Sequence, residues 1–344
     1  MRDQYDVIII GAGPSGLSCA IELQKSDMTI LLLEKNKEIG PKICAGGLTA
    51  KIKNVEIPLE ISEILFSSVL VSVSDKTIPI LNNNIPFVGT LDRGKLGQYL
   101  LNKLSNKVTI LRDFEVSQIE NDFIIAGNRK IKYKYLIGAD GSNSIVRKFL
   151  GLKNNKFITA IQYSLPLNNQ YMELCFDATL FGSGYGWIFP HKDYVSVGCG
   201  VQNFKCSEKL ELKNSFNKWL IDKKIEVENA ELQGSIISFD YRGFNFGNKF
   251  LVGDAGGFTS GLTGEGIYFG MVSGIEVARK IINPEYKCGE ISEILKIKRF
   301  HENTLALISF LVKINKHLAN SIFKLLLNLM KREYFSKKLI KHFG

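Results

Sequence analysis

The sequence predicts an α/β fold: a Rossmann-like domain interleaved with a mainly antiparallel β-sheet domain, followed by C-terminal helices. Three observations predict it. The opening stretch "YDVIIIGAGPSGLSCAIELQKSDMTILLLEK" (5–35) reads as strand, tight glycine turn, helix, strand, and its strands are continuous apolar runs, as in a parallel sheet buried on both faces. The late stretch "KFLVGDAGGFTSGLTGEGIYFGMVSGIEVARKII" (249–282) returns to strand, glycine-rich loop and helix. Between them lie strand-rich segments that alternate apolar and polar residues, the pattern of sheets with unlike faces.

The elements follow in order. After the opening unit, residues 60–90 contain alternating runs such as "SSVLVSVSD", expected to be strands of another sheet. "TLDRGKLGQYLLNKLSN" (90–106) has a helical pattern with Asp92 as N-cap. "KVTILRDFEVSQIENDFIIAGNRKIKYKYLIGADG" (107–141) is strand-rich and ends in an apolar strand that meets "GADG". Residues 157–201 read as a meander, 207–223 as a helix, and the chain beyond the late glycine loop as helical. The expected organisation is a discontinuous cofactor domain (1–60, 88–155 and 235–285), a β-sheet substrate domain (61–87 and 156–234) and a helical segment (286–344). No internal repeat or disordered linker is expected.

Composition narrows the class. The chain has 344 residues, 45% hydrophobic, with a formal net charge of +10. That suits one elaborate domain or two. Part of the excess charge lies in residues 296–344, where lysines outnumber acids. The six cysteines (Cys19, Cys44, Cys175, Cys199, Cys206 and Cys288) have neither zinc spacing nor a C-x-x-C pair. Reduced thiols and a cytoplasmic location are therefore expected. A signal peptide is not expected ahead of the first strand, and no apolar run reaches the roughly 18 residues of a membrane span.

The chemistry starts at "GAGPSG", where Gly11, Gly13 and Gly16 form G-x-G-x-x-G. Gly11 permits the tight turn, Gly13 a close approach of backbone to pyrophosphate, and Gly16 close packing of helix on strand. The helix N-terminus attracts phosphate. Glu34, at the end of the second strand, is placed to accept hydrogen bonds from ribose hydroxyls. In the late unit, Asp254 follows a strand directly and can bond a sugar-alcohol chain or simply cap a turn. The helix N-terminus near Gly264 and Gly266 can face the pyrimidine edge of a flavin, where its partial positive charge favours an anion. "GYGWIFP" (184–190) sets Tyr185, Trp187 and Phe189 on one face of a strand ended by Pro190. Such a row is either a core or the wall of an apolar site.

"GAGPSG" with Glu34, "LIGADGSNSIVRK" (136–148) and "LVGDAGG" (251–257), in this order and separation, resemble the FAD-dependent oxidoreductases of the para-hydroxybenzoate hydroxylase fold, with its glutathione reductase-type FAD domain. "KICAGGL" (42–48) and "GYGWIFP" are similar to segments of the geranylgeranyl reductase family, flavoenzymes that saturate double bonds of prenyl chains. The family's aromatic motif is P-x-x-Y-x-W-x-F-P, and Gly182 stands here in place of its first proline.

This resemblance implies FAD as cofactor. It puts Gly11, Gly13, Ser15 and Gly16 on the pyrophosphate, and Glu34 with neighbouring Lys35 at the adenosine. It puts Val116 at the adenine through its backbone and Arg93 on the phosphates or ribityl. Asp140 shapes the flavin site from a second side, or caps the helix after it. Asp254, Gly264, Gly266 and Ile267 lie along the ribityl and flavin ring, and Cys44, Ala45 and Gly47 beside the isoalloxazine. Cys44 is the catalytic candidate. Saturating an alkene needs a hydride and a proton, and a thiol is a possible proton donor. It can equally be a small residue that fits against the flavin. Tyr185, Trp187 and Phe189 become the wall of a prenyl site, since such a chain offers almost no hydrogen bonds and flat rings give large contact at small entropic cost.

The expected function is thus an FAD-dependent reductase of prenyl double bonds. The alternatives are a monooxygenase of the same fold, a halogenase-like enzyme with a W-x-W-x-I-P segment, and a non-enzymatic FAD protein. No second G-x-G-x-x-G marks a separate nicotinamide domain, so the electron donor is NAD(P)H bound transiently or a ferredoxin-type protein drawn to the basic face. The C-terminal segment alternates apolar residues (Leu305, Leu307, Ile308, Phe310 and Leu311, then Ile322 to Leu327) with Lys313, Lys316, Lys324, Lys331 and Arg332. It is expected either to lie on anionic lipid at the cytoplasmic face or to pack on the cofactor domain with a solvated basic face. No nucleic-acid partner is expected.

Overall fold

The computed structural model describes residues 2–55, 57–166, 169–202 and 209–330. Cys206, Lys331 and Arg332, the first residues of the helix expected from 207 and the last fourteen of the C-terminal segment lie outside the described residues.

The apolar runs that bracket the two glycine loops form one parallel sheet. Its strands run in the order Lys249–Leu251, Arg129–Gly138, Gln4–Ile10, Ile30–Leu33 and Val108–Leu111. The short strand Asn245–Phe246 pairs antiparallel at one edge. The ribbon of Val116–Ile119 and Phe123–Ala126 continues from Arg129–Gly138. Alternate residues of the central strands enter two separate cores, as expected for strands with period two. Val7, Ile9, Ile30 and Leu32 pack with the helices Pro14–Leu23 and Ile267–Ile282 on one face. Ile8, Ile10, Leu31 and Leu33 pack with Val116, Ile119 and Ile124 of the ribbon on the other.

The two helices cross with almost no side chain between them. A Cβ on Gly274 would stand 2.2 Å from the carbonyl oxygen of Ser15. The glycines let the second helix lie directly on the start of the first, so that the two glycine loops end side by side.

The alternating segments form a second, seven-stranded sheet in the order Gln233–Ser238, Phe157–Leu165, Val195–Gln202, Tyr185–Pro190, Glu173–Cys175, Ser68–Val73 and Lys76–Leu81. Only Glu173–Cys175 with Ser68–Val73 is a parallel pair. The helix Lys209–Asp222 covers one face through Phe216 and Trp219, which meet Phe181 and Tyr163. A three-stranded sheet of Gly47–Thr49, Val88–Thr90 and Ile64–Phe66 lies between the two large sheets.

The chain closes with helices Gly289–Ile314 and Lys316–Met330. The first inserts the Lys298 ammonium between the carbonyls of Phe239 and Thr259, at 2.7 and 3.0 Å. The second docks on the seven-stranded sheet: Leu327 packs with Val71, Ile78 and Ile80. Its Asn320 accepts from Ala178 N and donates to Asp177, the cap of helix Ala178–Phe181.

Candidate active site

The first glycine loop is shaped by backbone contact. A Cβ on Gly16 would lie 2.0 Å from the Gly11 carbonyl, and one on Gly11 would lie 2.4 Å from that of Ala139. Gly13 is different: a Cβ there would meet nothing within 4 Å. The helix Pro14–Leu23 that starts on this loop has no side-chain cap and no acid in its first turn, so its leading N–H groups stay available to an anion. Glu34 faces the same loop. Its Oε2 accepts from Ala12 N and its Oε1 from Asn36 N, both at 2.9 Å. Lys35 is exposed beside it. Val116 lies close by, with a buried side chain; Phe114, two residues earlier, donates its N–H to the Glu34 carbonyl.

The late loop meets the first. Gly253 has φ +57, and a Cβ on it would touch Ser15 Oγ at 2.6 Å. Asp254 is the second residue of the single helical turn Gly253–Gly256, and its carboxylate faces Lys42 and Thr259. Oδ2 pairs with Lys42 Nζ at 2.9 Å, and Oδ1 accepts from Thr259 Oγ1 at 2.8 Å. Burial alone would raise its pKa, but Lys42, Thr259 and Arg93 more than offset this and hold it below the usual carboxylate range. Gly266 caps helix Ile267–Ile282 without any side-chain bond, and no acid occupies that helix's first turn. Ile267 is its buried first residue.

Two polar atoms near these loops are orphaned. Arg93 leads helix Arg93–Leu101, capped by Asp92 as expected, yet its Nε is buried without a partner. Asp140 Oδ1 is likewise buried and unpartnered, while Oδ2 accepts from Ile145 N at 2.6 Å. Asp140 thus supports the start of helix Ile145–Phe149, whose own N-cap is Ser144. Its burial pushes its pKa up. Buried polar atoms are rarely left unsatisfied. The open space at Gly13, two uncapped helix N-termini and these orphaned atoms together fit a dinucleotide such as FAD.

The loop Cys44–Gly47 runs along the row of aromatic rings. Strand Tyr185–Pro190 carries Tyr185, Trp187 and Phe189 in sequence, with centroids 6.2 and 6.5 Å apart. A Cβ on Gly47 would sit 2.7 Å from the Phe189 ring. The Tyr185 hydroxyl donates to the Thr263 carbonyl at 2.5 Å, and Gly264 lies beside it, so the other end of the row reaches the late loop. Trp187 is held by its Nε1–H, which donates to Ser196 Oγ at 3.1 Å, and its ring lies over Gly198. The reverse of the strand is core: Gly186 fits against Phe181 and Trp219, and Ile188 joins the same cluster. The strand therefore packs a core with one face and carries the three rings on the other, with Trp187 itself only 6% exposed.

Cys44 is half-buried, and its Sγ accepts from Gly46 N at 3.4 Å. The structure also places residues here that the motifs did not indicate. Lys42 reaches Asp254, Glu265 accepts from Thr49 Oγ1 at 2.7 Å, and His191 touches the Ala45 carbonyl at 3.0 Å. Burial pushes Glu265 up, partly offset by Lys51 and Thr49. The only sequence signal for His191 was its place directly after Pro190. Among the described residues no cluster of His, Cys, Asp and Glu could hold a metal ion.

Comparison with known proteins agrees with this geometry. The family model described as pyridine nucleotide-disulphide oxidoreductase matches residues 5–201. An uncharacterized protein of Methanosarcina barkeri is 34% identical over 306 residues, 83% of this chain and 76% of that one. A digeranylgeranylglycerophospholipid reductase of Methanocaldococcus jannaschii is 28% identical over 82% of this chain and 78% of that one. Among solved structures, a geranylgeranyl bacteriochlorophyll reductase-like protein of Thermoplasma acidophilum superposes with a TM-score of 0.78 at 22% identity, covering 93% of this chain and 90% of that one. By the family model, the chain belongs to the pyridine nucleotide-disulphide oxidoreductase family and is an FAD-dependent oxidoreductase, similar in sequence to the digeranylgeranylglycerophospholipid reductase and in fold to the geranylgeranyl reductase-like protein.

Proposed function

We propose that this protein saturates carbon–carbon double bonds in the prenyl chains of a lipid or isoprenoid. One observation carries the reading: the aromatic row of Tyr185, Trp187 and Phe189 spans from the Gly47 loop to the Thr263–Gly264 loop, an apolar surface along the cofactor loops. The reductase name of the Methanocaldococcus jannaschii relative supports it.

FAD bound here would supply the hydride. The chain's own residues do the rest. Ser15, the Gly13 loop and the N-terminus of Pro14–Leu23 would hold the pyrophosphate, Glu34 the adenosine ribose, and Asp254 and Arg93 the ribityl and phosphates. The three rings hold the apolar chain and exclude water from it, which polar groups could not do without being left unpaired. Cys44 supplies the proton from Sγ to the second alkene carbon. Electrons arrive from NAD(P)H or a ferredoxin-type protein.

The lipid substrate is reached from a membrane surface. Phe300, Leu307, Phe310 and Ile314 follow one another at spacings that share a helix face, and all are at least half exposed. Leu318, Leu325, Leu326 and Leu329 continue the apolar surface on the last helix, with exposed Lys313 and Lys316 at the joint. This arrangement fits peripheral docking on anionic lipid. No helix among the described residues is long and apolar enough to cross a membrane.

The test is anaerobic. Enzyme reduced chemically and mixed with a digeranylgeranyl lipid should regain its oxidised flavin absorbance. Flavin that stays reduced with every prenyl lipid, yet reoxidises when an aromatic substrate and air are given together, would contradict the reading.

A further inference from the structure

His191 is 5% exposed and sits between two acceptors. Its Nδ1 lies 2.8 Å from Glu63 Oε2 and its Nε2 3.0 Å from the Ala45 carbonyl. A carbonyl can only accept, so Nε2 donates to Ala45. The ring is fixed on its other sides. It stacks on Tyr194 with centroids 4.2 Å apart, and the backbone N–H of His191 donates to the Tyr194 carbonyl at 2.7 Å, closing the turn after the aromatic strand. A Cβ on Gly46 would stand 2.6 Å from Cε1. Glu63 is a carboxylate here: burial opposes its ionisation, but Lys95 at 2.7 Å and His191 hold its pKa below the usual range.

The Ala45 carbonyl and the Gly46 N–H are two ends of one peptide group. The carbonyl end accepts from His191, and the N–H end donates to Cys44 Sγ. We propose that His191 is a positioning residue for Cys44, holding and polarising the Ala45–Gly46 peptide so that its N–H is aimed at the sulfur. Hydrogen bonds in series strengthen one another. A donor aimed at sulfur favours the thiolate over the thiol, so the arrangement makes Cys44 a readier proton donor. The same contact registers the loop against the aromatic strand, because His191 follows directly on Phe189 and Pro190.

The inference rests on the reading of Cys44 as an active-site thiol, but it concerns the thiol itself, so its test does not depend on any prenyl substrate. The charged and titratable groups packed around the pair are Glu63, Asp92, Lys95, Asp193, Tyr194 and Tyr185, with Lys42 on the Cys44 loop itself. The experiment follows iodoacetamide alkylation of Cys44 against pH by peptide mass mapping in flavin-loaded protein. His191→Phe keeps the flat ring and its stacking but no donor. It should move the alkylation midpoint to higher pH and slow alkylation below that midpoint about 3–10-fold. His191→Gln can still donate to Ala45 but keeps no stacked ring, and should fall between Phe and wild type. A wild-type profile in His191→Phe would overturn the proposal. So would slowing by one factor at every pH, which reports altered access to the sulfur and not altered ionisation. If the Phe variant does not fold, the Gln variant is read by the same two criteria.

Discussion

The Tyr185 hydroxyl donates to the Thr263 carbonyl, joining the first ring of the aromatic row to the loop that leads into helix Ile267–Ile282. Burial pushes the phenol's pKa up, so it remains a neutral donor throughout the working pH range. Tyr185→Phe keeps the ring and its contact with Phe176 but strands the carbonyl. The expected cost is about 1–2 kcal/mol, read as a fall of a few degrees in the thermal midpoint. The apparent affinity for prenyl substrate should weaken more than for a shorter, less bulky analogue.

Gly13 and Gly16 belong to one motif but do different work, and alanine separates them. Gly16→Ala drives a methyl group into the Gly11 carbonyl, so the flavin-free protein should lose several kcal/mol of stability. Gly13→Ala meets open space and an ordinary φ of −71, so the flavin-free protein should unfold as wild type does, within about 0.5 kcal/mol. FAD titration of that variant should show affinity at least about tenfold weaker, because the methyl group occupies the approach of the pyrophosphate.

Asp140 sets stability against cofactor binding. Its folded pKa lies above the ordinary value of about 3.9, so folding takes up a proton, and its contribution is most favourable at low pH and is lost as pH rises through the folded pKa. Asp140→Asn can keep the bond from Ile145 N while removing the buried charge. In urea unfolding of flavin-free protein, the variant should equal or exceed wild type at pH 7, and its advantage should shrink toward pH 4. Its FAD affinity should fall if, as proposed, the cofactor partners the orphaned Oδ1, and an unchanged affinity would remove Asp140 from the flavin site.

The apolar stripe of the last two helices predicts binding to lipid. Sedimentation with anionic vesicles should carry wild type down, less so at high salt. Leu307→Glu with Phe310→Glu should abolish it. Both side chains are exposed, so stability should change by under about 0.5 kcal/mol. Equal sedimentation of the double variant would remove the helices from membrane contact.

How much was legible in the sequence follows from how local each signal is. The parallel sheet and both glycine loops were legible because each is written in one continuous run: Val7–Ile10 and Leu31–Leu33 are apolar without a break, and Gly16 is needed by a contact with Gly11 in its own unit. The strand was legible from the alternation of Tyr185, Trp187 and Phe189. Alternation alone could not reveal which neighbours its two faces meet. The partners of Asp254, Cys44 and Asp140 were harder. Lys42 is 212 residues from Asp254, and His191 is 146 from Ala45. Such pairs exist only once three sheets are assembled, and no short spacing encodes them. The double role of Asp140, helix support and orphaned oxygen, also needed the fold to show which oxygen was used.

The central claim is that the aromatic wall holds a prenyl chain for reduction beside the flavin. Mass spectrometry of a digeranylgeranyl lipid incubated anaerobically with reduced enzyme tests it most directly. The account predicts a product heavier by one hydrogen pair for each double bond saturated, with the yield strongly reduced by Trp187→Ala and by Cys44→Ala. Recovery of the lipid unchanged from flavin-loaded, folded enzyme, under either electron donor, would contradict it.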